Sequence, residues 1–240
     1  MNTLAPAASF LGDVPVLLRG ETEALTRWLG EKGTRRELWC VAMILAGAGL
    51  YGASVGCWRA PGQALYTAIK FPLILLLTAA GNGLLNAMLA PLLGLNLTVR
   101  QSLQAVLLSF ALISVILASF SPVVLFLIWN APSMSADLDS AARAFSLIKV
   151  TQAAVIACAG VAANVRLVQL LRELAGSAAV ARKVLFAWLA GNLFLGSQLT
   201  WILRPLFGSP HLEVQFLRAN ALEGNFFETL FYAMRHLLGL

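Results

Sequence analysis

Apolar residues run along this chain in five long blocks, about Leu38–Gly56, Phe71–Leu93, Leu103–Trp129, Phe145–Val165 and Val184–Leu203. Each approaches or exceeds the ~20 residues that a helix needs to cross a bilayer core of ~30 Å. The joints between them carry proline, glycine and charge. This pattern predicts an all-α fold, a polytopic integral membrane bundle of five transmembrane helices with interfacial amphipathic helices at its ends.

Polar residues inside the blocks are spaced rather than scattered. In the second block Thr78, Asn82 and Asn86 recur every four residues, with Ala79, Gly83 and Ala87 beside them. Leu73, Leu77, Leu84 and Met88 cover another side, so one face is suited to neighbouring helices and the other to lipid. The fifth block repeats the device with Asn192, Gly196 and Thr200. Gly81-Asn82 and Gly191-Asn192 both lie near the middle of their blocks. Asn82 is therefore expected to point inward, at the depth of Asn192. The residues Thr78, Asn82, Asn86, Asn192 and Thr200 form either a packing face or a polar path.

Local signals refine the elements. Ala48-x3-Gly52-x3-Gly56 is a small-xxx-small ridge that permits close helix contact within the chain. Pro72 is expected in the first turn of the second helix, where a missing N–H costs nothing, with residues 57–69 as a boundary loop. Thr98-x-x-Gln101 has capping-box spacing and predicts the start of the third helix. Ser121-Pro122 bends that helix without dividing it. The helical pattern of the fourth block continues through Leu167, Leu170, Leu171 and Leu174 to Gly176, and Ser177 can cap the fifth helix.

Three regions follow. Residues 1–36 form a cytoplasmic and interfacial segment, with an amphipathic stretch at Glu21–Leu29. Residues 37–204 form the transmembrane domain. Residues 205–240 form an outer-face segment whose amphipathic stretch, Asn225–Leu238, is too short to span.

Composition agrees with the pattern. Hydrophobic residues make up 59% of the chain and charged residues 12%, with a mean hydropathy of +0.80; soluble domains hold roughly 45–50% and 25%. The net charge of +6 lies at block ends. It reads as topology signal and headgroup contact, not as a nucleic-acid surface. Ten of the 17 Lys and Arg residues fall in segments that an inward N-terminus would place in the cytoplasm. The expected orientation is N-terminus inside and C-terminus outside.

Chemistry-bearing clusters are sparse. Cys40, Cys57 and Cys158 form no CxxC, and His211 and His236 stand apart from them, so no metal or cofactor site is expected. Cys40 and Cys158 are expected to pack as small hydrophobes. No acidic residue lies within a span, which disfavours proton-coupled transport. No nucleophile and base stand together, so no catalytic residue is assigned and the protein is not expected to be an enzyme. At the outer face, Lys70, Arg204, Arg218 and Glu228 are candidates for ion pairing, with Glu228 bound to Arg204 or Arg218.

The series Pro61-x-Gln63-Ala64-Leu65-Tyr66-x3-Lys70-x-Pro72, then Thr78, Gly94-Leu95 and Ser121-Pro122, is followed by Gln198-x2-Trp201-x2-Arg204-Pro205-x2-Gly208-Ser209-Pro210. Val214-x-Phe216-x-Arg218 and Gly224-Asn225-Phe226 continue it. Over roughly Pro61–Glu228 these motifs resemble a bacterial family of uncharacterised polytopic membrane proteins related to the YIP-type (Ypt-interacting) five-span family. The resemblance implies a bacterial inner-membrane location and carries no established activity. The expected function is that of a non-enzymatic membrane subunit or scaffold, organising lipid, a membrane-protein partner or a second copy of itself. The alternative is a transporter or channel-like component with a polar path near Asn82, Asn86 and Asn192.

Overall fold

The structure is a computed structural model that describes residues 34–132, 138–206, 208 and 213–228. The expected helices at Glu21–Leu29 and over most of Asn225–Leu238, and both histidines, lie outside the described residues. Five helices follow in order: α1 Arg35–Gly56, α2 Pro61–Leu92, α3 Val99–Trp129, α4 Leu138–Ala175 and α5 Ala178–Ile202. All five contain a stretch long and apolar enough to cross a membrane. The chain is thus an integral membrane protein, with five membrane-spanning helices among the described residues. Leu77, Leu84, Met88, Phe126, Val161, Phe186 and Leu193 are exposed on the bundle surface, as side chains facing lipid must be.

The joints are made by the residues that the sequence marks. Gly94, at φ 90°, closes α2, with Leu95 N donating to Ala90 O at 2.8 Å and Gly94 N to Pro91 O at 3.1 Å. Those two bonds are a Schellman motif, which satisfies carbonyls at the helix end and needs the left-handed conformation that glycine adopts freely. Thr98 and Gln101 then form the predicted capping box of α3. Pro122 lies within α3, which remains one helix. Ser177 flanks α5, but its side chain makes no capping bond.

Two boundaries differ from expectation. α2 begins at Pro61, so Pro61 and not Pro72 occupies the first turn, and Pro72 is inside the helix. Thirty-two residues at about 1.5 Å each give about 48 Å, well beyond the bilayer core. The extra turns, from Pro61 to about Lys70, replace most of the expected loop. α4 is longer still, at 38 residues. Cys158 also departs from its expected packing: it is exposed on α4, whereas Cys40 is fully buried.

α2 packs against α1, α3 and α5, while α4 closes the other side of the bundle against α3 and α5. Small residues set the close approaches. A Cβ on Gly47 would lie 2.5 Å from Ser114 O of α3. One on Gly52 would lie 2.5 Å from Thr67 O, and one on Gly56 2.6 Å from Ala64 Cα, both on α2. The predicted ridge is therefore an internal seam, with Gly52 and Gly56 against α2. Two apolar clusters fill the bundle, one around Trp188, Val184, Leu108 and Leu171 and the other around Tyr51, Leu117, Ile148 and Ala159.

Candidate functional site

The buried residues of α2 include Gln63, Thr67, Lys70, Phe71, Ile74, Thr78, Asn82, Asn86 and Ala90. Gln63 and Thr67, four apart, are joined by a three-residue step to the series Lys70, Ile74, Thr78, Asn82, Asn86 and Ala90, which advances in steps of four. With 3.6 residues per turn, each such step turns the stripe by about 40°. The stripe therefore faces different neighbours at its two ends: α1 and the residues after α5 at the start, then α5 at Asn82.

In the middle of the bundle, Asn82 is fully buried. Its Nδ2 donates to Asn192 Oδ1 at 2.5 Å and to Trp188 O at 3.1 Å, both on α5. A Cβ on Gly191 would collide with Asn82 Oδ1, so glycine makes room for the amide. Asn82 points inward and meets Asn192, as the matched Gly-Asn pairs predict. Thr78 faces Gly196, whose added Cβ would lie 3.8 Å from Thr78 Oγ1. Asn86 is fully buried, and neither of its side-chain polar atoms has a partner among the described residues. Thr78 Oγ1, Asn82 Oδ1 and Trp188 Nε1 are also buried without one. Thr200 is half-buried on α5.

The second cluster lies where α2 begins and α5 ends. The chain leaves α5 at Leu203, and the described residues beyond it, 204–206, 208 and 213–228, return as a strap over the protruding turns of α2. Lys70 is fully buried under it, its Nζ donating to Pro205 O at 2.9 Å and lying 5.0 Å from the centre of the Phe216 ring. Gln63 Nε2 donates to Leu206 O at 3.1 Å and Pro205 O at 3.3 Å. The Thr67 hydroxyl lies 2.7 Å from Leu206 O and from Gln63 O. Tyr66 meets Phe216 edge to face at 5.5 Å. Gly208, at φ 70°, brings the strap so close that a Cβ would lie 2.7 Å from Arg59 Cγ.

Arg204 ties the strap to itself. The guanidinium stacks 3.8 Å above the Trp201 ring and donates to Trp201 O at 2.8 Å and Asn220 O at 3.1 Å. Trp201 Nε1 donates to Glu223 O at 3.2 Å. Burial and the nearby Arg218 lower the Arg204 pKa, against a smaller opposing pull from Glu223. The structure gathers Lys70, Arg204 and Arg218 in one region but replaces the expected ion pairing. Glu228 is joined to Asn225: its N–H donates to Asn225 Oδ1 at 2.8 Å, and its Oε2 accepts from Asn225 Nδ2 at 3.3 Å. Backbone carbonyls take the cations because the chain turns back immediately after α5, which brings the Pro205 carbonyl to Lys70.

Gln63 and Thr67 are central here and were not candidates. Part of their signal was available: they are four residues apart, and one three-residue step joins them to the four-residue series that runs from Lys70 through Thr78, Asn82 and Asn86. At the opposite end of the bundle, Arg100 Nη2 pairs with Glu37 Oε1 at 2.9 Å, and Gln104 Nε2 donates to the same oxygen at 2.8 Å. Among the described residues no three His, Cys, Asp or Glu side chains gather as a metal site. The fold and these clusters define the class: a polytopic integral membrane protein whose polar interior joins helix to helix and strap to helix. Comparison with protein-family models, curated proteins and solved structures finds no match.

Proposed function

We propose that the chain is a non-enzymatic integral membrane subunit that organises lipid or a protein partner in the bilayer. The observation that carries this reading is where the polar side chains go. Asn82 binds α5, and Gln63, Thr67 and Lys70 bind strap carbonyls. Each of these contacts holds two parts of the chain in register, as a scaffold requires. The relation to the YIP-type family, a bacterial inner-membrane location, and an orientation with N-terminus inside and strap outside belong to the same proposal. They rest on the motifs and on the Lys/Arg distribution.

Purification in mild detergent or native nanodiscs, with identification of what accompanies the protein, tests this reading. A stoichiometric protein or lipid companion is the expected result. A retained polar small molecule, with no such companion, would contradict it.

One observation favours a second reading. Thr78 and Asn86 carry buried polar atoms that have no partner among the described residues, beside the Asn82–Asn192 contact. Buried polar groups normally find partners, and a polar path through α2 and α5 would supply them. Such a path requires solute flux through reconstituted vesicles, abolished by replacing Asn86 with Leu.

A further inference from the structure

Between α3 and α4 runs a groove with a cavity volume of about 280 Å³, lined by Leu112, Ile116, Ala162, Ala163, Val165 and Arg166. A narrow cleft continues it past Ser109 and Leu170. Five of the six lining residues are apolar, and two of those are alanines that leave the space open. The sixth carries a permanent positive charge. Arg166 belongs to the apolar stretch of α4, Leu147–Ala175. Its Nη1 donates to Gln169 Oε1 at 3.2 Å, and no carboxylate pairs with it among the described residues. Arginine within a membrane helix is costly and is found where a counter-charge or water can meet it.

We infer that this groove holds a phospholipid with a net anionic headgroup, its phosphate on Arg166 and one acyl chain against Leu112, Ile116, Ala162 and Val165. The guanidinium presents paired donors that match phosphate oxygens. Basic pockets between membrane helices are suited to anionic headgroups. The space suits a flexible chain, which can follow a narrow cleft, better than a whole helix, which is about 10 Å across with its side chains. Arg166 lies nine residues before the end of α4, on the Glu37–Arg100 side of the bundle. A lipid of the leaflet at that end can therefore reach it with its headgroup near the surface. The inference deepens the scaffold reading by naming the lipid, and it rests on that reading only for the protein's place in a bilayer.

The test is lipid retention measured by native mass spectrometry on the full chain in mild detergent. Phosphatidylglycerol and phosphatidylcholine of identical acyl chains are supplied in equal amounts. The wild type should retain phosphatidylglycerol with a preference of about tenfold, equivalent to about 1.4 kcal/mol. Arg166→Gln should abolish the preference, and Arg166→Lys should keep part of it. Ala162→Phe, which fills the groove and leaves the charge, should lower retention of both lipids. This variant carries the test should Arg166→Gln fail to fold. Glycerol 3-phosphate, which has no acyl chain, should not displace the lipid. Equal retention in the wild type and Ala162→Phe would overturn the inference, marking the lipid as unspecific coating. Displacement by glycerol 3-phosphate would overturn it as well, assigning the site to a free phosphate compound. So would a protein that accompanies the wild type and is lost from both Arg166→Gln and Ala162→Phe. None of these outcomes removes the scaffold reading, which stands or falls on the companion found with the wild type.

Discussion

At the scale of single residues, the contact between Asn82 and Asn192 decides how α2 and α5 meet. Interhelical hydrogen bonds in membranes contribute about 0.6 kcal/mol on average and up to about 2. Asn82→Ala should therefore lower thermal stability in detergent modestly. Asn82→Ala combined with Asn192→Ala should cost less than the sum of the two single changes, because the second removes a partner already lost. Gly191→Ala acts by crowding instead. Its Cβ collides with Asn82 Oδ1, and the expected loss is about 1–3 kcal/mol. Glu228→Gln should change stability by less than about 0.5 kcal/mol, since its partner is the neighbouring amide of Asn225 and not a cation. Reversible unfolding in mixed micelles measures all five variants, Asn192→Ala alone included. The Asn82–Asn192 contact was legible because both residues interrupt apolar blocks at matching depth. The destination of Lys70 was not. Its partner is a main-chain carbonyl, and any residue at the cis Arg204-Pro205 corner could supply one, so side-chain chemistry left no trace of the pairing.

The spans themselves, as elements, followed directly from apolar block length, and the Thr98 cap from its spacing to Gln101. The start of α2 did not. Pro72 was read as a first-turn residue, yet a second proline at Pro61 occupies that position. Residues 61–70 carry Gln63, Tyr66, Thr67 and Lys70. That polarity resembles a loop when the chain is judged by hydropathy alone. Tertiary contact explains it: these turns project beyond the apolar core and are covered by the strap. The strap should consequently come loose without unfolding the bundle. Gly208→Val adds a side chain at positive φ and against Arg59. Trypsin cleavage at Arg218 should then become faster, while the unfolding of the five helices changes little. Equal cleavage rates in Gly208→Val and the wild type would show that the strap is not held by this close approach.

Across the whole molecule, α2 is the common partner of α1, α3 and α5, and its buried stripe serves each in turn as it rotates. A stripe that advances mostly in steps of four from Gln63 to Ala90 could not continue to face one neighbour. The same polar series thus holds the strap at one end and α5 in the middle. The central claim is that Gln63, Thr67, Lys70 and Asn82 join parts of the chain and that the series does not line a water path. The most direct measurement uses Thr78→Cys in a background where Cys40, Cys57 and Cys158 are replaced by alanine, in native membranes treated with a membrane-impermeant thiol reagent. The account predicts no labelling from either side until the protein is unfolded, with Asn220→Cys on the strap as the reactive control. Rapid labelling of Thr78→Cys in the folded protein would contradict it and establish a polar path beside Asn82.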